Sequence, residues 1–383
     1  MNSFHTRSRS SAALLTLLAI GTLAPVTVAA QGGRGSSGPP EHANIEPVNA
    51  RPNPYETQRN WGHLPDGRTW GSVSAVNVDI DGRHIWAGDR CGTNSCAVSN
   101  VDPMVKLDPY GNVVQSFGAG QIIWPHGMDV DSEGNIWVAD ARAANAGELE
   151  RNPGAAGKGH TVLKFSPQGE LLMTIGTGGQ AGAPPNALTE PSDVLVAPDG
   201  SIFIGESHTD QFLDTPEGGV GRISKWSPDG RLIKTFGTWG YGPGQFRGAH
   251  SFAMDSQGRL FVADRGNRRI QILDQDLNHL DTWYQFSRIS GLYIDSNDVL
   301  YAIDSESDDS YNPGWRKGLR VGSARTGEVW YYVPEHMSAR ASGMGGIGSM
   351  GEGVTADAQG NVFGGEVGPV TGLTKFVPRL LGR

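Results

Sequence analysis

Short apolar runs alternate with turn residues along most of this chain, at a spacing too tight for helices. The clearest instance begins at Trp124-Pro125-His126-Gly127, continues as a strand at Met128–Val130, turns at Ser132–Asn135, and returns through Ile136–Ala139 to an acid, Asp140. β-Branched and aromatic residues fill the runs while Pro and Gly punctuate them, which predicts a hairpin. The pattern recurs at Val76–Asp79 with Ile85–Asp89, Val194–Val196 with Ile202–Glu206, Phe261–Asp264, Leu300–Asp304 and Val362–Glu366. Most repeats add a third and a fourth strand, such as Val162–Phe165 with Leu171–Ile175 and Ile223–Trp226 with Leu232–Phe236. Ser/Asp-Pro-x-Gly turns join these at 108–111, 166–169 and 227–230. Four short strands per repeat of roughly 40–60 residues is the period of a β-propeller blade. The units are Val73–Gly118, Trp124–Gly176, Glu190–Gly237, Arg247–Trp283, Ile289–Val333 and a sixth starting near Met350. The expectation is therefore an all-β, six-bladed propeller within residues 55–383. The sixth unit runs out of chain near Phe376, and the aromatic segment Tyr55–Trp61 is the candidate strand to complete it and remove the open edges.

Composition agrees with a turn-dense β protein: 55 glycines and only 19% charged residues in 383. The net charge of −9 argues against nonspecific nucleic-acid binding. Arg7 and Arg9 precede an apolar run, Ala12–Leu23, and Val28-Ala29-Ala30 precedes Gln31, so residues 1–30 have the form of a secretory signal peptide. The run is too short to span a membrane, and export to the periplasm or the exterior is expected. Residues 31–54 read as a flexible leader. In an exported chain Cys91 and Cys96 favour a local disulfide over a metal pair, since no second cysteine pair completes a four-thiolate site.

One position inside the repeat carries chemistry. Fourteen residues before the strand-ending acids Asp140, Glu206, Asp264, Asp304 and Glu366 stand His126, Ser192, His250, Ser290 and Glu352; with one extra turn residue, blade one contributes Ser74. Innermost strands line a propeller's central tunnel, so these six residues should ring one mouth. His126, His250 and Glu352 come from alternate blades, about 120° apart. Two imidazoles and a carboxylate with open positions suit a catalytic divalent metal. The alternative is a set of ordinary polar tunnel residues. The recurring acids themselves read as architecture.

Glu190-Pro191-Ser192-Asp193, Pro243-Gly244-Gln245-Phe246 and Val262–Gln271 resemble NHL repeats, and over roughly residues 70–377 the chain is most similar to the peptidyl-α-hydroxyglycine α-amidating lyase family. The resemblance implies an axial zinc held by three histidines. Two match His126 and His250; the third stands as Glu352, a change that keeps Zn²⁺ plausible and admits Fe²⁺ or Mn²⁺. The family's calcium-binding aspartate stands as Gly353, which leaves a structural Ca²⁺ unsupported. Arg90 and Arg265 match family arginines that engage substrate, and His208 takes the place of the family's catalytic tyrosine, where an imidazole can still move a proton. The implied activity is lyase-like cleavage of a carbon–nitrogen bond in a small hydroxylated amide or peptide-derived substrate. A non-catalytic propeller binding a protein or glycan, and a lactonase-like metal hydrolase, are the alternatives. The Gly-rich loop 341–353 leads into Glu352 and reads as a lid or a long blade connection.

Overall fold

The computed structural model describes residues 45–211, 219–309, 311–335, 350–368 and 370–379. Residues 1–30, read above as a signal peptide, residues 31–44, read as leader, and residues 341–349 of the Gly-rich loop lie outside them. Among the described residues no helix is long and apolar enough to cross a membrane.

Six four-stranded antiparallel sheets follow one another in chain order. Their innermost strands are Val73–Val78, Pro125–Val130, Pro191–Val196, Ala249–Met254, Gly291–Ile294 and Gly353–Ala356. Each second strand is buried almost throughout, as in Ile136–Asp140 and Leu260–Asp264, because neighbouring blades cover both its faces. The outermost strands are largely exposed or half-buried instead, and Leu171–Ile175 buries only its last residue fully. Blade six closes the ring as expected: Tyr55–Trp61 pairs with Thr371–Pro378, which pairs with Val362–Val367. The first and last described strands thus share one sheet, and blade six has its four strands like the others.

The strand-ending acids are architecture. Asp89 accepts from the Gly71 amide at 2.7 Å, Asp140 from the Trp124 amide at 2.6 Å, Glu206 from the Thr189 amide at 2.8 Å and Asp264 from the Arg247 amide at 2.9 Å. In each case the acid ties the end of the second strand to the segment entering its own innermost strand. A buried carboxylate satisfied by backbone amides fixes where that inner strand begins. Asp304 makes the equivalent tie to the Ser287 hydroxyl, and Glu366 bonds Thr374.

The described end of the leader departs from the expectation of a flexible segment. Val48 packs on the core between blades four and five, its carbonyl accepts from Arg320 at 3.1 Å, and Asn49 bonds both Arg320 and the Gly314 carbonyl. The buried Arg320 guanidinium needs acceptors, and this stretch supplies them. Cys91 and Cys96 form a disulfide.

Trp61 seals the closure: its ring meets Phe363 of blade six at 4.7 Å between centroids and is 9% exposed. Trp61→Ala should lower the unfolding free energy by ~3–5 kcal/mol, measured by denaturant titration. A shift of the midpoint no larger than that of an exposed outer-strand substitution, such as Leu172→Ala, would show that closure does not depend on this contact.

Candidate metal centre

The six ring positions occupy one level. Ser74, His126, Ser192 and His250 are each the second residue of their innermost strand, and Ser290 and Glu352 immediately precede theirs. In blades one to four the ladder slips at this position, for example between Pro125 and Met128 and between Ala249 and Phe252. A bulge there places one extra residue on the inner strand and re-aims its side chain. Below the ring runs an axial cavity of about 370 Å³ lined by all six innermost strands.

Glycine lets the blades approach closely enough for the ring to work. A Cβ on Gly127 would lie 2.2 Å from Asp193 Oδ1, and one on Gly353 would lie 2.1 Å from the Ser74 carbonyl. Gly353 is therefore fixed by the contact between blades six and one. The backbone has no room here for the aspartate that the lyase resemblance would place at this residue.

Each imidazole is held by the next blade. His126 Nδ1 lies 2.6 Å from the Ser192 carbonyl and His250 Nδ1 lies 2.7 Å from the Ser290 carbonyl. A carbonyl only accepts, so both Nδ1 atoms carry the proton and both Nε2 lone pairs face the axis. Such outer hydrogen bonds are how metal-binding histidines are oriented. The ring serines close the circuit: Ser74 Oγ bonds the Pro125 carbonyl at 3.2 Å and Ser192 Oγ the Ala249 carbonyl at 2.5 Å.

The structure brings His126, His250 and Glu352 together and adds a fourth donor, His208, with the ligand atoms of all four within 4.8 Å of one another. His126 Nε2 lies 3.8 Å from Glu352 Oε2, and the His208 ring sits 4.5 Å from His126 and 5.2 Å from His250 between centroids. The two ring histidines are 2% exposed and Glu352 7%. Burial, followed by the Arg265 charge for His250 and by His208 for His126, holds both imidazoles well below the usual histidine range. Burial and then Arg265 and Arg90 push His208 down to about 3. Three neutral imidazoles and a carboxylate could hold a divalent ion, and one observation fits that use: His126 Nε2 is buried without a hydrogen-bond partner.

The arginines are not surface charges. Arg90 is 2% exposed, stacks on Trp124 at 3.6 Å, and donates to the Pro125 carbonyl, Asn94 and Ser74. Arg265 is fully buried; its Nη1 donates to His250 Nε2 and, at 3.1 Å, to Glu352 Oε1, while Nη2 pairs with Glu306. Arg288 holds Glu306 at 2.8 Å, the Arg265 carbonyl at 3.1 Å and Gln211 at 3.0 Å. Sequence reasoning placed His208 near the site as a base and missed Glu306 and Arg288. A signal for two of these existed: His208 and Glu306 each stand two residues past a strand-ending acid, Glu206 and Asp304. That offset marks a tier of residues just outside the ring.

Comparison with known proteins gives a consistent class. The NHL repeat family model matches residues 246–273. NHL repeat-containing protein 3 of Homo sapiens is 34% identical over 60% of this chain and 59% of its own length. Peptidyl-glycine alpha-amidating monooxygenase of Mus musculus is 28% identical over 56% of this chain and 22% of its own, and peptidyl-alpha-hydroxyglycine alpha-amidating lyase 2 of Drosophila melanogaster 24% over 55% and 49%. The chain thus spans less than two thirds of each of these relatives. A solved structure put forward as a gluconolactonase superposes with a TM-score of 0.50 at 16% identity, covering 86% of this chain and 94% of its own, which shows the fold alone. The molecule is a six-bladed β-propeller with a cluster of potential metal ligands on its axis. It carries an NHL repeat at residues 246–273 and resembles the peptidyl-α-hydroxyglycine α-amidating lyases.

The depressed His208 fixes a pH dependence. Its folded value lies below the unfolded one, so the fold favours the neutral ring; that contribution is complete above about pH 6.5 and is lost as pH falls toward 3. Between roughly pH 6 and 4 the parent should lose stability more steeply than His208→Phe, by up to about 1.4 kcal/mol per pH unit. Parallel stability–pH curves would contradict a depressed His208 in the folded protein.

Proposed function

We propose that this chain is an exported, metal-dependent lyase that cleaves a carbon–nitrogen bond in a small hydroxylated amide-type substrate. The observation that carries the reading is the convergence of His126, His208, His250 and Glu352 within 4.8 Å, with His126 Nε2 unpartnered. His126, His250 and Glu352 are the ligand set, and Zn²⁺, or Fe²⁺ or Mn²⁺ given the carboxylate, is the ion. Bound there, such an ion supplies Lewis acidity that polarises a substrate oxygen. The relatives named as amidating lyases support the reaction class, and the disulfide supports an oxidising compartment.

The remaining roles belong to the chain's own side chains. His208 is neutral and makes no ring hydrogen bond among the described residues, so a lone pair is free to take the proton of the substrate's α-hydroxyl. As that O–H breaks, the hydroxyl carbon forms a C=O bond and the C–N bond breaks, its electron pair passing to nitrogen. Nitrogen takes the proton back from His208; the products are an amide and an α-oxo compound, and no water is consumed. Arg90 spends three N–H groups on the protein, which leaves two of a guanidinium's five for a substrate carboxylate or carbonyl. Trp124 packs against Arg90, His126 and His208 and walls that side of the site from solvent. A propeller that only binds a partner is the second reading; Arg265 seated on two of the three ring donors favours it.

The test is metal content and turnover of the full chain. Purified protein should carry one divalent ion and release glyoxylate from N-benzoyl-α-hydroxyglycine; His250→Ala should lose both while remaining folded, with a lower unfolding midpoint than the parent. Native protein free of metal, and inert after zinc, iron(II) or manganese(II) is added, would establish the binding reading instead.

A further inference from the structure

Arg265 stands where an axial ion would stand. Its Nη1 meets His250 Nε2 and Glu352 Oε1, two of the three ring donors, and the side chain is fully buried. An ion about 2.0–2.1 Å from His250 Nε2 would overlap that nitrogen. A dication and a guanidinium side by side among buried side chains also repel, since charges are screened less there than in bulk water. His250 and Glu352 therefore serve either Arg265 or an ion. The donors that Arg265 leaves open are His126 Nε2 and the His208 ring, on the other side of the cluster.

The second anchor of this arginine lies next to the ring. Glu306 already pairs with Nη2 and is itself held by Arg288, which also ties down the Arg265 carbonyl. If Arg265 lets go of His250 and Glu352, its charge keeps a partner without leaving the protein interior. Loss of Glu306 would remove that partner and leave Arg265 with Glu352 as its sole carboxylate.

We infer that Arg265 is a built-in competitor for the axial metal: it satisfies His250 and Glu352 in the metal-free protein, withdraws to Glu306 on metal binding, and thereby sets the affinity. Such an arrangement lets the propeller fold and persist without an ion and makes loading reversible. This inference rests on the metal reading of the ring proposed above.

The experiment measures Co²⁺ and Zn²⁺ dissociation constants by competition with a chromogenic chelator, for the metal-stripped full-length parent, Arg265→Leu, Arg265→Lys and Glu306→Gln. The melting temperature of each stripped protein is recorded alongside. Arg265→Leu should bind about ten-fold or more tighter than the parent, a change of the size that residues around a metal site produce, and should melt lower when stripped. Arg265→Lys keeps the charge and should stay near the parent affinity. Glu306→Gln should bind more weakly. A parent that loads one ion with Arg265→Leu equal or weaker would overturn the competitor role and leave the metal reading intact. No uptake by any of the four, with all folded, would overturn the metal reading and this inference together.

Discussion

The hydrogen bond from each ring imidazole to the carbonyl of the next blade decides what this axis can do. His126 Nδ1 to Ser192 and His250 Nδ1 to Ser290 commit both rings to one tautomer and turn both Nε2 atoms inward. Those bonds exist because adjacent innermost strands run unusually close, and they run close because Gly127, Gly291 and Gly353 follow ring residues where a Cβ would strike the neighbouring backbone or side chain. The serines of the odd blades take part twice, presenting carbonyls to the histidines at Ser192 and Ser290 and hydroxyls to the following blade at Ser74 and Ser192. Blade packing and ligand orientation are thus one network, and a change in either moves the other.

Charge is balanced along a chain of groups that leads outward from that network. Glu352 meets Arg265, Arg265 meets Glu306, and Glu306 meets Arg288. Buried ions persist only when paired, so each member fixes the next. The pair of arginines holds the Glu306 carboxyl down at about 2 despite its burial, which keeps it charged. Glu352 places a carboxylate among the ring imidazoles, and Arg265 is the cation that meets it. That contact links the axial chemistry to residues of blade five.

Much of the fold was legible in the sequence. The recurring acid and turn defined six blades, and the shortage of chain after Phe376 pointed to Tyr55–Trp61 as the missing strand, which is where the structure places it. The ring was legible for the same reason: a constant offset from a constant acid survives variable loops. The bulges that aim the ring side chains were not, because an extra residue in one strand shifts pairing without changing the hydrophobic pattern. The Arg265–Glu306–Arg288 chain was not read because its members meet across two blades, although the offset of Glu306 from Asp304 was a signal for one of them. The docking of Val48 and Asn49 was missed because a polar segment without periodicity gives no sign that a buried Arg320 needs its carbonyl and amide groups.

The most direct test of the axial account is an anomalous-difference map from crystals of the full chain grown with zinc and recorded on both sides of the zinc edge. The account predicts one peak on the propeller axis, about 2.0–2.1 Å from the Nε2 atoms of both His126 and His250, with the Nδ1 atoms still on the Ser192 and Ser290 carbonyls. A map with no axial peak, or with zinc bound only elsewhere while Arg265 remains on His250 and Glu352, would contradict it.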